Sequence, residues 1–452
     1  MNIIYCTCLL TLTLLTSTIS MAQIQNIAAI LSAYDSEPRQ TEQCLSPDER
    51  KKINFRIAKA KQDMIEDGLL ERLFPSTQRM VPPSLIWPIR QAPHFNDPSY
   101  YVISNYVDLD STTGVLDYNG LSQSYDGHKG IDIRIWPYWW KKMADSHVEA
   151  IAAADGVIIL KQDGFQDQSC SCSGSWNAVF LMHPDGAITW YGHLKKNTTT
   201  AKDSGDLVVA GEYLGIIGSS GCSTNPHLHL EVYDNMGNLI EPFAGPSNPT
   251  TESSWWQNQL PYYDSGVNKI ATHSSGPTNP ACPGIESPNE KDVFDRGEAI
   301  TFTVAIRHSL NVDSAVLKVF EPDGDQSTIL DLTYIRAGGY FVKSVFPRWN
   351  RTLDPDEEIG KWTFEVTYYS LTYGVSVLTK EFWVTAPCVT NYNFSNPHTL
   401  DRYYEASNTI ISTSEIVGNT HVIYDAGNNT TLLPGFIAPP GSRFQVKTSG
   451  CN

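Results

Sequence analysis

The sequence predicts a mainly β protein: an antiparallel β-sheet domain, preceded by a helical N-terminal arm and followed by an immunoglobulin-like β-sandwich and a small β-solenoid-like C-terminal domain. Three observations carry this. The segments GIDIRIW and HLHLEVY alternate with a period of two, the mark of a strand with one face buried. Residues 285–387 contain a series of strand-like runs with turn residues between them and no helical period. A sustained helical spacing occurs before residue 81.

The first segment, residues 1–22, reads as a signal peptide. It is apolar over a span too short to cross a bilayer and ends in small residues, with a cut expected after Ala22, although it lacks a leading Lys or Arg. Residues 23–81 read as a helical N-terminal region. Ser46, Pro47 and Glu49 form a capping-box start with proline at the first helical position. Ile53, Ile57, Ala60, Met64 and Leu69 continue at helical spacing, and the helix is expected to stop before Pro75. An inhibitory propeptide and a packing arm both fit this pattern. The arm is preferred, because no residue in it is an obvious metal blocker.

Residues 82–262 hold the chemistry. His128 and Asp132 lie in GHKGIDIRI, His193 in WYGHLKK, and His227 and His229 in NPHLHLEVYD. A catalytic zinc requires three N or O ligands and one open position for water, and these five side chains exceed that requirement. His227, His229 and Glu231 share one face of their strand, as neighbours about 6–7 Å apart. Asp132 belongs on a second strand. His128 would be roughly 13 Å from Asp132 if the chain stayed extended, so the chain must bend, and Gly127 and Gly130 make the bend cheap. His193 follows the apolar run AITWYG, so three strand ends are expected to converge. Spacing alone does not separate ligands from helpers. His94, His273, His308, His398 and His421 lack such company and read as ordinary core or surface residues, whereas His147 and His183 are harder to dismiss. His183, ahead of a Pro-Asp-Gly turn, reads as a structural hydrogen-bonding residue.

With those residues in place, the run from His128 to Asp234 resembles the lysostaphin-like (beta-lytic) zinc metallopeptidase family. AIAAADGVI, GEYLGIIGSSG and STNPHLHLEVYD follow in the family's order. The resemblance implies one zinc ion held by His128, Asp132 and His229. It also implies that His193 and His227 act on the water and the developing oxyanion. On this basis His227 is the expected general base and His193 the expected oxyanion donor, a role worth about 3–4 kcal/mol. Glu231 either orients an imidazole or faces solvent. Two stretches depart from the family pattern. IRIWPYWWKKMADSHVE is longer and more aromatic than usual; Trp136, Tyr138, Trp139 and Trp140 fit either the wall of a substrate groove or packing beneath a long loop, and packing is preferred. In DGFQDQSCSCSGSWN, one of Cys170 and Cys172 is a candidate partner for Cys222.

Residues 263–284, around HSSGPTNPACPG, read as a linker. The runs AITFTVAI, AVLKVFEP, YFVKSVF, KWTFEVTYY and KEFWVTAP in 285–387 fit an immunoglobulin-like sandwich. Residues 388–452 alternate short apolar pieces with Gly and Pro turns. They resemble the three-coathanger stack domain of secreted Bacteroidota proteins, and SGCN resembles its Gly-Cys-X ending. That resemblance implies surface sorting through Cys451; a Cys388–Cys451 disulfide is the equal alternative.

A net charge of −17 argues against nucleic-acid binding, and no later stretch has the length and apolarity of a membrane span. Loss of Cys6 and Cys8 with the signal would leave seven cysteines, an odd number for an oxidising compartment. The expected function is that of a secreted or surface-located zinc metalloendopeptidase, monomeric, acting on peptidoglycan cross-bridges or stem peptides. A surface protease acting on proteins and a non-catalytic wall-binding module are the alternatives.

Overall fold

The computed structural model describes residues 45–74, 82–248, 253–295, 298–307, 314–322, 324, 326–331, 343–352, 359–370, 373–385 and 388–451. The signal peptide expected at 1–22, residues 23–44 and 75–81 of the arm (Cys44 among them), and His308 lie outside these residues.

The helix α1 (Pro47–Glu66) starts where its capping box sits: the Ser46 hydroxyl accepts from the Glu49 amide at 3.2 Å, with Pro47 in the first turn. After Gly68, the short α2 (Leu69–Leu73) ends the helical segment ahead of Pro75. Ile53, Ile57 and Met64 form the buried stripe of α1.

That stripe packs on an eight-stranded antiparallel sheet. Its strands are β1 (Tyr101–Asn105), β2 (Ile131–Ile135), β3 (Gly156–Gln162), β4 (Ala178–Met182), β5 (Ile188–Gly192), β6 (Leu207–Val208), β7 (His227–Tyr233) and β8 (Leu239–Ile240). The order is β1-β2-β7-β5-β4-β3-β6, with β8 on the edge of β7. Strand alternation divides the side chains between two cores. Ile131, Ile133, Val179, Leu181, Tyr191, Leu228, Leu230 and Val232 enter one cluster together with a small three-stranded sheet of 89–91, 148–151 and 213–216. Val157, Ile159, Phe180, Met182 and Trp190 point the other way, against α1. The sequence pattern of β7 suggests a strand with one wet face, but six of its seven residues are buried. Its polar side is covered by the site itself and by the N-terminal arm.

The aromatic stretch after β2 packs as expected, with Trp136 and Trp140 buried. Cys172 pairs with Cys222, and Cys170 pairs with Cys282.

Residues 266–273 correct the expected linker. They form a strand paired with Ala299–Arg307, and Lys343–Thr352 completes a three-stranded antiparallel sheet. GVNKIATH alternates well enough to add this edge, and Val267 and Ile270 join the sandwich core. A five-stranded sheet lies against it, ordered 293–295, 374–385, 360–370, 314–320, 326–331. Arg307 of this sandwich forms an ion pair with Asp264 at 3.0 Å and donates to Ser99 and Asn268 at 2.7 and 2.9 Å, tying it to the first domain.

At the C-terminal end, strands 389–394, 402–412, 421–426, 429–432 and 443–447 pair only in parallel, as stacked coils do. Cys388 and Cys451 are joined in a disulfide.

Candidate metal centre

The site is assembled by register. In the ladder between β2 and β7, His229 faces Asp132 and His227 faces Arg134. On the other side of β7, His229 faces Gly192, the last residue of β5. His193 comes next and takes φ +62°, a left-handed conformation costing on the order of 1–3 kcal/mol in a non-glycine residue. That turn brings its ring within 4.5 Å of the His227 ring, centroid to centroid. His128 sits on the loop entering β2. Gly127 at φ +72° supplies the expected bend. Gly130 is required for a second reason: a Cβ there would lie 2.6 Å from His229 Cε1.

Three of the five residues form a tight triangle. His229 Nδ1 is 2.8 Å from Asp132 Oδ1, His128 Nε2 is 3.2 Å from the same oxygen, and the two nitrogens are 3.3 Å apart. All three residues are buried, and their ligand atoms converge as a metal-holding group.

The surrounding acceptors determine what these atoms present. His128 Nδ1 faces the Tyr106 carbonyl at 2.7 Å, and His229 Nε2 faces Glu231 Oε1 at 2.9 Å. Each imidazole therefore carries its hydrogen outward and turns a bare nitrogen inward. Asn105 donates to Asp132 Oδ2 at 2.9 Å, leaving Oδ1 for the centre. Three lone-pair donors meeting at about 3 Å repel one another unless a cation lies among them. Ligands about 2.0–2.1 Å from a tetrahedral zinc stand about 3.3 Å apart, close to the sides of this triangle. The donor set, two imidazoles and one carboxylate, suits zinc in both hardness and number.

The other two histidines stand beside the triangle. His227 Nδ1 faces the Asn225 carbonyl at 2.8 Å, and its Nε2 lies 3.5 Å from Asp132 Oδ1. His193 Nδ1 faces the Ser220 carbonyl at 2.6 Å. Both rings thus turn Nε2 toward the centre. Trp176 meets the His193 ring edge-on at 5.2 Å and the His229 ring at 5.8 Å. A Cβ on Gly192 would overlap the Trp176 ring.

The structure brings together all five residues singled out by the sequence. His94, His147, His183, His273, His398 and His421 lie elsewhere. His183 is a structural residue, bonded to the Asp155 carbonyl at 2.8 Å and Thr189 at 2.9 Å. Asn105, Tyr106, Trp176, Ser220 and Asn225 were not anticipated. Asn105, Tyr106 and Trp176 lie outside the site motifs, while Ser220 and Asn225 lie within GEYLGIIGSSG and NPHLHLEVYD but contribute main-chain carbonyls, which no side-chain pattern marks. Glu231, which the sequence leaves between two readings, is fully buried and bonded to His229.

The matched relatives include DD-carboxypeptidase/endopeptidase Mpg of Neisseria meningitidis serogroup B, 38% identical over 93 residues, or 21% of this chain and 19% of that protein. Peptidoglycan DD-endopeptidase ShyC of Vibrio cholerae is 27% identical over 120 residues, 26% of each chain. The match thus spans about a fifth to a quarter of these curated relatives. Among solved structures, the catalytic domain of a mutant of the prophage-encoded M23 protein EnpA from Enterococcus faecalis is 27% identical, covering 33% of this chain and 94% of that one with a TM-score of 0.22. The catalytic domain of lysostaphin from Staphylococcus simulans is 22% identical, with 34% and 96% coverage and a TM-score of 0.19. The family model described as Peptidase family M23 matches residues 126–242, the segment that contains all five site residues.

Proposed function

We propose that this protein is an exported zinc-dependent metalloendopeptidase that cleaves peptide bonds in peptidoglycan cross-bridges or stem peptides. The observation that carries this is the convergence of His128 Nε2, Asp132 Oδ1 and His229 Nδ1, flanked by two further imidazoles. Zinc held by these three residues would supply Lewis acidity to a water molecule and to the scissile carbonyl.

The chain's own groups then move the protons. His227 donates from Nδ1 to the Asn225 carbonyl, so its neutral ring offers the Nε2 lone pair as a base. It takes a proton from the attacking water and delivers it to the leaving amine. His193 is tied through Nδ1 to the Ser220 carbonyl, so it can donate from Nε2 to the oxyanion only as an imidazolium. Support for the substrate class comes from the name of one matched relative, peptidoglycan DD-endopeptidase ShyC. Export is supported by the apolar first segment and by three disulfides, which persist in oxidising compartments. Sorting to the cell surface through Cys451 would first require opening its disulfide with Cys388.

The test is digestion of isolated peptidoglycan and, separately, of a glycine-rich protein by the purified full chain, followed by identification of new amino termini. New termini from peptidoglycan, lost with a chelator and restored by zinc, are expected. Cleavage of the protein alone would overturn the substrate assignment, and chelator-insensitive cleavage would overturn the mechanism.

A further inference from the structure

The N-terminal helix reaches Glu231, the carboxylate bonded to His229, through Arg50. Arg50, in the first turn of α1, places Nη2 2.7 Å from Glu231 Oε1 and Nη1 2.7 Å from Glu231 Oε2, a two-pronged ion pair. The Glu231 carboxylate is fully buried, while the Arg50 side chain is 12% exposed. Glu231 Oε1 also accepts from His229 Nε2 at 2.9 Å, and Glu231 Oε2 accepts from the Tyr233 hydroxyl at 2.5 Å. Arg50 donates to the Tyr233 hydroxyl at 2.9 Å and lies over the Trp190 ring, 5.3 Å from its centroid. Thus Arg50 grips both oxygens of the carboxylate that orients His229. A fork of this kind constrains the plane of the carboxylate as well as its position, which a single contact does not.

We infer that Arg50 is a positioning residue of the zinc centre, making α1 a working part of the site rather than a detachable leader. This rests on the reading that His128, Asp132 and His229 hold zinc. Without Arg50, Glu231 would keep its two partners on β7 and lose both restraints from outside the sheet. His229 would then hold its ring orientation, and with it the direction of Nδ1, less firmly. Outer partners of metal ligands typically contribute ten- to hundredfold in metal affinity. The segment matched to the peptidase family begins at residue 126, so the dependence lies in a part of the chain that the family match does not cover. Maturation that removed α1 would therefore weaken the metal centre instead of releasing it.

The experiment measures the zinc dissociation constant by chelator competition on the full chain, for the wild type, Arg50→Ala, Arg50→Lys, His229→Ala and Lys59→Ala. Lys59 is exposed on the same helix and controls for loss of a positive charge. Arg50→Ala should raise the constant about ten- to hundredfold, Arg50→Lys by less, and Lys59→Ala should leave it unchanged. If Arg50→Ala does not fold, the cobalt-loaded Arg50→Lys protein decides by its visible spectrum, which should differ from that of the wild type. Wild-type zinc affinity in Arg50→Ala, or an unaltered cobalt spectrum and affinity in Arg50→Lys, would overturn the inference. Equal zinc uptake by the wild type and His229→Ala would instead overturn the underlying metal reading.

Discussion

The strand Gly360–Ser370 of the sandwich buries every second residue, with Trp362, Phe364, Val366 and Tyr368 inward and their neighbours partly exposed. β7 also alternates in sequence, yet it buries both faces. In the sandwich, burial and hydrophobicity coincide, and the strand needs only to pack. In β7, the second face consists of imidazoles and a carboxylate, each at most 2% exposed, whose removal from water must be compensated group by group. That compensation comes from the Asn225 carbonyl for His227, from Glu231 for His229, and from Arg50 and Tyr233 for Glu231; the Asn225 carbonyl and Glu231 also fix which nitrogen each ring presents. Buried polar alternation thus marks a strand organised for chemistry, and buried apolar alternation one organised for stability.

The contrast can be broken most decisively at β7. His229→Ala should abolish both zinc uptake and turnover, whereas His193→Ala should keep zinc and lose turnover by roughly a hundred- to a thousandfold. Metal analysis alongside a peptidase assay measures both, and equal metal loss in the two variants would erase the division of roles. In the sandwich, Trp362→Ala should cost about 3–5 kcal/mol in denaturant unfolding while leaving zinc affinity intact. A change in zinc affinity there would mean that the two regions are not separable in this way.

A pH titration sharpens the comparison further. Burial pushes His183 down to about 4 from its ordinary value near 6.5. The unfolded chain therefore binds a proton that the folded chain refuses. Stability from this residue should be complete above about pH 6.5 and fall as the pH drops toward 4, by roughly 3 kcal/mol. His183→Gln should flatten that part of the acid-unfolding curve. The smallest effect is expected at Val377, which is 55% exposed on the sandwich. Val377→Ser should stay within about 0.5 kcal/mol of the wild type by the same unfolding measurement.

Much of the centre could be read before folding because its five residues lie in short motifs, and strand phase places three of them on the site face. The helix start at Ser46 was equally local. Arg50 was not: it lies 181 positions from Glu231, and nothing in the helical pattern distinguishes it from the other cations of that helix. Asn105 was hidden for the same reason, since it meets Asp132 only through the β1–β2 ladder. The strand at 266–273 was masked by the Ser, Gly and Pro residues that follow it, which made the whole segment resemble a linker.

Trp176 fills the volume that a Cβ on Gly192 would need, so Gly192 cannot be enlarged while Trp176 stays. A library that varies Gly192 by itself should return almost only glycine. Jointly randomising both positions could recover functional pairs with a smaller ring and a larger neighbour. Directed evolution of this enzyme would have to treat these two positions as a single unit of selection.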